Sequence, residues 1–171
     1  MSRTSLPVRL VLALLLAATV AGCGFRMRGA DGRYALPFSS IYLNFAENSA
    51  LGVELKRNIR ATPTQIATDR NAAQAIMEVL AESREKAILS LNSQGRVREY
   101  ALGYTLRFRV VDPAGNELLG PTEIALKRTI NFNESQVLAK EAEEALLYRD
   151  MQSDLVQQIM RRLAAIPAKT S

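Results

Sequence analysis

Histidine and tryptophan are missing from this 171-residue chain, and there is one cysteine, Cys23. Without histidine no Ser-His or Cys-His nucleophile can be built, and no zinc site of the His/Cys kind. A single cysteine also excludes a disulfide within the chain. Composition does not exclude carboxylate chemistry, since there are 17 Asp and Glu residues and two acids suffice for glycoside hydrolysis. Yet Glu141, Glu143 and Glu144 fall in a helical, solvated pattern, while Glu78, Glu82 and Glu85 are dispersed among strand residues. No constellation calls for catalysis, a metal or a cofactor. Internal repeats and low-complexity tracts are missing too.

What is present begins at the amino terminus. Arg3 and Arg9 precede an apolar run from Leu10 to Val20. At about a dozen residues it is long enough for a signal peptide and short for a bilayer span. It ends in Val20-Ala21-Gly22-Cys23, which resembles the bacterial lipobox. That resemblance implies cleavage after residue 22, lipid on Cys23 and a membrane anchor. Several acyl chains on one residue would exceed what stable anchoring requires. The alternative is a thiol buried in an uncleaved helix, because free cysteine is often a small core hydrophobe. Gly24 follows the cysteine where lipoprotein sorting would place Asp to retain a protein, so an outer-membrane destination is expected by analogy.

Without Arg3 and Arg9 the remaining 149 residues carry 20 Lys and Arg against 17 Asp and Glu, a net of +3. That length fits one domain. So mild a charge, without aromatic-basic motifs, argues against a nucleic-acid partner.

Residues 24–37, "GFRMRGADGRYALP", lack apolar periodicity and read, with Cys23, as a lipidated tether over 23–37. A single domain is expected over 38–167, with 168–171 as a tail. In "SSIYLNFA", Ile41, Leu43 and Phe45 alternate with Tyr42 and Asn44, predicting a strand. Asn48 or Ser49 offers an N-cap for a helix to Arg60, with Leu51, Leu55 and Ile59 on one face and Thr62-Pro63 ending it. "TQIAT" reads as at most a brief extended piece before a turn at Asp69-Arg70-Asn71.

Three long strands follow. Ala73 to Leu91 places Ala75, Met77, Val79 and Ala81 on one face; Arg98 to Val111 alternates at Tyr100, Leu102, Tyr104, Leu106, Phe108 and Val110. Thr122 to Asn133 sets Ile124, Leu126, Ile130 and Phe132 against Glu123, Lys127, Thr129 and Asn131. The joins "LNSQGR" and "DPAGNE" are turn-rich, predicting an antiparallel meander with one apolar face. A final helix from about Gln136 to Ile166 carries Tyr148, Met151, Leu155, Ile159, Leu163 and Ile166 as a stripe, and Pro167 stops it.

The order β-α-β-β-β-α predicts an α+β two-layer sandwich: a four-stranded, mostly antiparallel sheet with both helices on one face. Arg107, Arg109 and Lys127 fall on the other face. They read either as a charged face in solvent or as contacts to a partner or ligand.

Three stretches carry a family resemblance. "CGFRMRG", "REYALGYTLRFRV" and "NESQVLAKEAEEALLYRDM" resemble, in this order and spacing, segments of the LPS-assembly lipoprotein (LptE) family, and the element order matches too. The resemblance covers nearly the whole chain after residue 22. It implies a non-enzymatic outer-membrane lipoprotein that plugs and helps assemble the LptD-like β-barrel and binds lipopolysaccharide during its insertion into the outer leaflet. The family's binding lysine in Leu-Ala-Lys matches Lys140. Its companion arginine falls on Ser93, so Arg96 and Arg98 are the nearby candidates for that role. Lysine and arginine are both competent phosphate binders, and a helix N-terminus beside a lysine suits an anion. Read from the residues alone, Lys140 equally fits a solvated side chain pairing with Glu144. The alternative for the whole chain is a lipid-anchored auxiliary subunit of another envelope lipid transporter.

Overall fold

The computed structural model describes residues 35–168; Cys23, the leader and most of the tether lie outside them. The chain forms β1 (Ser40–Asn44), α1 (Ala50–Arg60), β2 (Gln65–Ile66), β3 (Ala75–Leu91), β4 (Val97–Val111), β5 (Glu117–Asn131) and α2 (Val137–Ala164). The sheet has five strands in the order β2-β1-β3-β4-β5, one more than the alternation predicts. The addition is β2, whose two residues pair parallel with Ser40 and Ile41 of β1. So short a strand leaves no periodicity to read. β1 also runs parallel to β3, while β3, β4 and β5 form the expected antiparallel meander.

Local chemistry explains α1. Ser49 caps it, its hydroxyl accepting from Gly52 N at 3.1 Å. Leu51, Leu55 and Ile59 are wholly buried, and Arg57 and Arg60 fall in the last turn, where the helix dipole favours cations. Gly52 lies against Phe45, the residue after β1: a Cβ there would sit 2.8 Å from Cβ and Cγ of Phe45. α2 contributes Met151, Leu155, Val156, Ile159, Met160 and Leu163 to the same core. These pack on Ile41, Leu43, Met77 and the even positions of β4. Truncating any one to alanine costs about 2–5 kcal/mol. The two helices are also joined by polar contacts, with Glu54 accepting from Gln152 Nε2 at 2.6 Å and Ser153 Oγ at 2.8 Å.

β3 departs from the predicted face. Val79 pairs with Phe108, but Ala81 pairs with Arg107, leaving Leu80 as an extra residue. A one-residue bulge in a period of two moves everything beyond it to the opposite face. Ala81 therefore leaves the face of Ala75, Met77 and Val79. Glu82, Arg84, Lys86 and Ile88 turn toward the helices instead, opposite Leu106, Tyr104, Leu102 and Tyr100. The register shifts again between Ile88 and Ser90 and between Ser90 and Leu91.

β5 begins at Glu117, five residues before the predicted start, and shifts register between Leu119 and Thr122. Pro121 is tolerated in that interval because β5 pairs only with β4, and an edge strand can spare an N–H. The open edges are thus β5 and the short β2. Behind the sheet, Ala73, Ile76 and Val111 make a small second core with Tyr42 and Ala67, so that face is not uniformly polar.

Candidate functional site

The candidate residues gather at one end of the sheet. The β3–β4 turn closes through Asn92, whose N donates to Arg96 O at 2.8 Å and whose Oδ1 accepts from Gln94 N and Arg96 N at 3.0 Å. Gly95 supplies the left-handed residue, at φ +77°. Ser93 lies exposed in this turn. Arg98 is the second residue of β4, and its carbonyl accepts from Phe132 N at 2.8 Å, bringing the end of β5 alongside. Arg96 reaches Glu134 at 3.3 Å, just before α2. Lys140 sits in the first turn of α2. A 3-10 turn at Glu134–Gln136, capped by Asn133 Oδ1, links β5 to that helix.

The electrostatics at this end separate the three cations. Lys140 Nζ lies 2.8 Å from Glu143, three residues on, whereas Glu144 is taken by Lys86 at 2.6 Å. The expected Lys140–Glu144 pair is therefore corrected: α2 turns Glu144 onto the sheet and leaves Glu143 beside Lys140. The Lys140 side chain is only 19% exposed, so it is not freely solvated. Arg96 and Glu134 are both more than half exposed, a pairing worth little in water. Arg98 is exposed and makes no ion pair among the described residues.

Beneath α2 the sheet presents a polar seam that the alternation did not reveal. Tyr104 is buried, and its hydroxyl donates to Glu82 at 2.7 Å while accepting from Arg84 at 3.2 Å. Burial pushes the Tyr104 phenol up to about 12 from its ordinary 10.0. Arg84 also donates to Gln152 at 3.0 Å and lies over the Tyr148 ring. Tyr148 donates to Glu85 O at 2.7 Å, and burial raises its pKa as well. The hydrogen bond to Glu144 raises the Lys86 pKa, and Lys86 lies 4.5 Å from the Tyr100 ring centre. Arg128, on the apolar face of β5, reaches Asp154 of α2 at 2.6 Å. All fully buried residues of α2 lie at Met151 or later, so its first half is held largely by this seam.

On the other face the three cations differ in their partners. Arg109 is tied to Glu78 at 2.7 Å and approaches Glu117 at 3.9 Å, so it is not a free charge. Hydrogen bonds from Arg70 and Arg109 lower the Glu78 pKa. Arg107 and Lys127 are exposed and make no ion pair among the described residues.

Known proteins share this fold. The family model LptE, described as lipopolysaccharide-assembly, matches residues 38–163. The LPS-assembly lipoprotein LptE of Pectobacterium atrosepticum is 28% identical over 159 residues, covering 92% of this chain and 84% of that protein. Its namesake in Yersinia enterocolitica is 28% identical over 164 residues, covering 92% and 77%. Among solved structures, a lipoprotein B from Nitrosomonas europaea superposes with a TM-score of 0.72 at 40% identity, over 83% of this chain and 91% of that one. The rare lipoprotein B of Shewanella oneidensis gives 0.65 at 27% identity, over 74% and 94%.

Proposed function

Because this chain belongs to the LptE family of lipopolysaccharide-assembly lipoproteins, we propose that it serves as the non-enzymatic, lipid-anchored plug of an outer-membrane β-barrel of the LptD kind. In this reading Cys23 carries the lipid after removal of residues 1–22. The domain from residue 38 to 167 occupies the barrel from the periplasmic side and helps it assemble. Lipopolysaccharide passing to the outer leaflet is bound through Lys140, Arg96 and Arg98.

The observation that carries the ligand assignment is the junction of the β3–β4 turn with the start of α2, made by Arg96 and Glu134 and by Phe132 N and Arg98 O. It gathers cations distant in sequence at one rim. Arg96 and Lys140 are paired with exposed carboxylates, Glu134 and Glu143, which a lipid A phosphate can displace, forming charge-assisted hydrogen bonds to arginine and lysine. The chemistry needed is recognition and shape, with no bond made or broken.

Depletion tests the function. Loss of lipopolysaccharide from the cell surface, together with co-purification of the tagged chain with a barrel from gently extracted outer membranes, is the expected result. An unchanged surface level would favour an auxiliary subunit of a different envelope lipid transporter. Photocrosslinkers at Lys140, Arg96 and Arg107 separate the faces, glycolipid adducts being expected at the first two.

A further inference from the structure

The same rim carries an unusual share of uncovered apolar surface. Ile88, Leu89 and Leu91 at the end of β3, and Val137 and Leu138 at the start of α2, are all exposed large hydrophobics. Leu138 is 82% exposed. Between them the T-shaped pair of Tyr100 and Phe132, 5.3 Å apart, is only partly covered, and Ile88 stands opposite Tyr100 in the sheet. Contiguous apolar surface on a folded domain marks a binding function more often than chance. Here cations interrupt it: Arg96 and Arg98 lie beside the β3 leucines across the turn, and Lys140 follows Leu138 by two residues.

We infer that this rim takes the acyl chains of lipopolysaccharide, with Leu89, Leu91, Val137 and Leu138 against hydrocarbon while Arg96, Arg98 and Lys140 hold the phosphates. The inference rests on the lipopolysaccharide reading above and extends it from the headgroup to the hydrocarbon. Protein-docking surfaces tend to clear charges from their apolar centre. Surfaces that meet lipid mix leucine with lysine and arginine, because the ligand presents an anion within a few ångströms of hydrocarbon. Acyl chains are flexible and need no shaped cavity. An open rim of leucines on two adjoining elements is sufficient, and the bulge that leaves Leu89 unpaired turns it outward.

The test compares rough lipopolysaccharide with its fully deacylated, phosphorylated oligosaccharide, each binding the full chain held in amphipol. Wild type should bind the intact glycolipid at least roughly tenfold more tightly than the deacylated form, given the free energy of burying methylenes. L89Q and L138Q should remove most of that difference without changing affinity for the deacylated probe. Both side chains are more than half exposed, so folding is not at risk, and circular dichroism verifies it. Equal binding of the two probes by wild type would overturn the inference while leaving the phosphate contacts standing. So would unchanged binding by both leucine variants, and a loss confined to barrel co-purification would mark the rim as a protein contact instead. Failure of both probes to bind would overturn the lipopolysaccharide reading and this inference with it.

Discussion

The Arg84 guanidinium lies over the Tyr104 ring, 4.5 Å from its centre, while one of its nitrogens donates to the hydroxyl of the same residue at 3.2 Å. That hydroxyl passes its proton toward Glu82, so three side chains from two strands share one buried oxygen. Tyr104→Phe keeps the ring and removes the oxygen, leaving Glu82 and Arg84 each short of a partner beneath α2. A loss of about 1–3 kcal/mol is expected, since stranded partners cost more than the bond itself contributes. Urea unfolding of the two proteins measures it. A difference under about 0.5 kcal/mol would mean water replaces the hydroxyl without penalty.

Gly52 shows a different constraint. Alanine ordinarily improves a helix interior by about 1 kcal/mol over glycine. Here the added methyl would meet Cβ and Cγ of Phe45 at 2.8 Å, atoms close to the backbone that cannot swing aside. Gly52→Ala is therefore expected to destabilise by about 1–3 kcal/mol. Phe45→Ala removes Cγ but keeps Cβ, so Gly52→Ala combined with it should cost less than the sum of the two single losses, and thermal melts of the three variants check the coupling.

Acid should weaken the back of the sheet through Glu78. Hydrogen bonds from Arg70 and Arg109 hold its folded pKa below the ordinary 4.5. The stabilisation is thus present above about pH 4.5 and fades as the pH falls below it. Glu78→Gln should be less stable than wild type near neutrality, the gap narrowing on acidification toward pH 3. Stability curves at several pH values test the sign; a gap that widens in acid would show the pairing contributes nothing.

At the rim, Glu143 competes with the ligand for Lys140. Glu143→Gln should strengthen lipopolysaccharide binding several-fold, and Lys140→Gln should weaken it by roughly tenfold, the scale of a charge-assisted hydrogen bond. Arg98→Gln should weaken it similarly, with no internal pair to break first. Affinities at low and high salt provide the check, because exposed ionic contacts are screened. If Glu143→Gln leaves affinity unaltered, Lys140 is a structural partner of its own helix.

Much of the fold was legible because its signals are local. The stripe of Leu51, Leu55 and Ile59 and the Ser49 cap specify α1 within a dozen residues. From Leu102 to Val110 the even positions of β4 are buried as their alternation requires, and Tyr100 is partly so. Of the three stretches that carry the family resemblance, "REYALGYTLRFRV" and "NESQVLAKEAEEALLYRDM" fall within the family match over residues 38–163. The candidate site was less legible. Lys140, Arg96 and Arg98 were drawn from the resemblance, and the polar seam of Arg84, Tyr104 and Gln152 left no trace in spacing.

The sequence by itself determined which residues prefer helix or strand, which face of each element is apolar, and where the turns fall, because 3.6- and 2-residue periodicities are properties of neighbours along the chain. Tertiary structure alone decided that β2 joins the sheet, that a bulge at Leu80 carries Glu82, Arg84 and Lys86 to the helix side, that Arg128 meets Asp154, and that Arg96 meets Glu134 38 residues away. Strand register and long-range ion pairs follow from which backbone edges and side chains meet after the chain has collapsed, and that meeting has no signature in any local window.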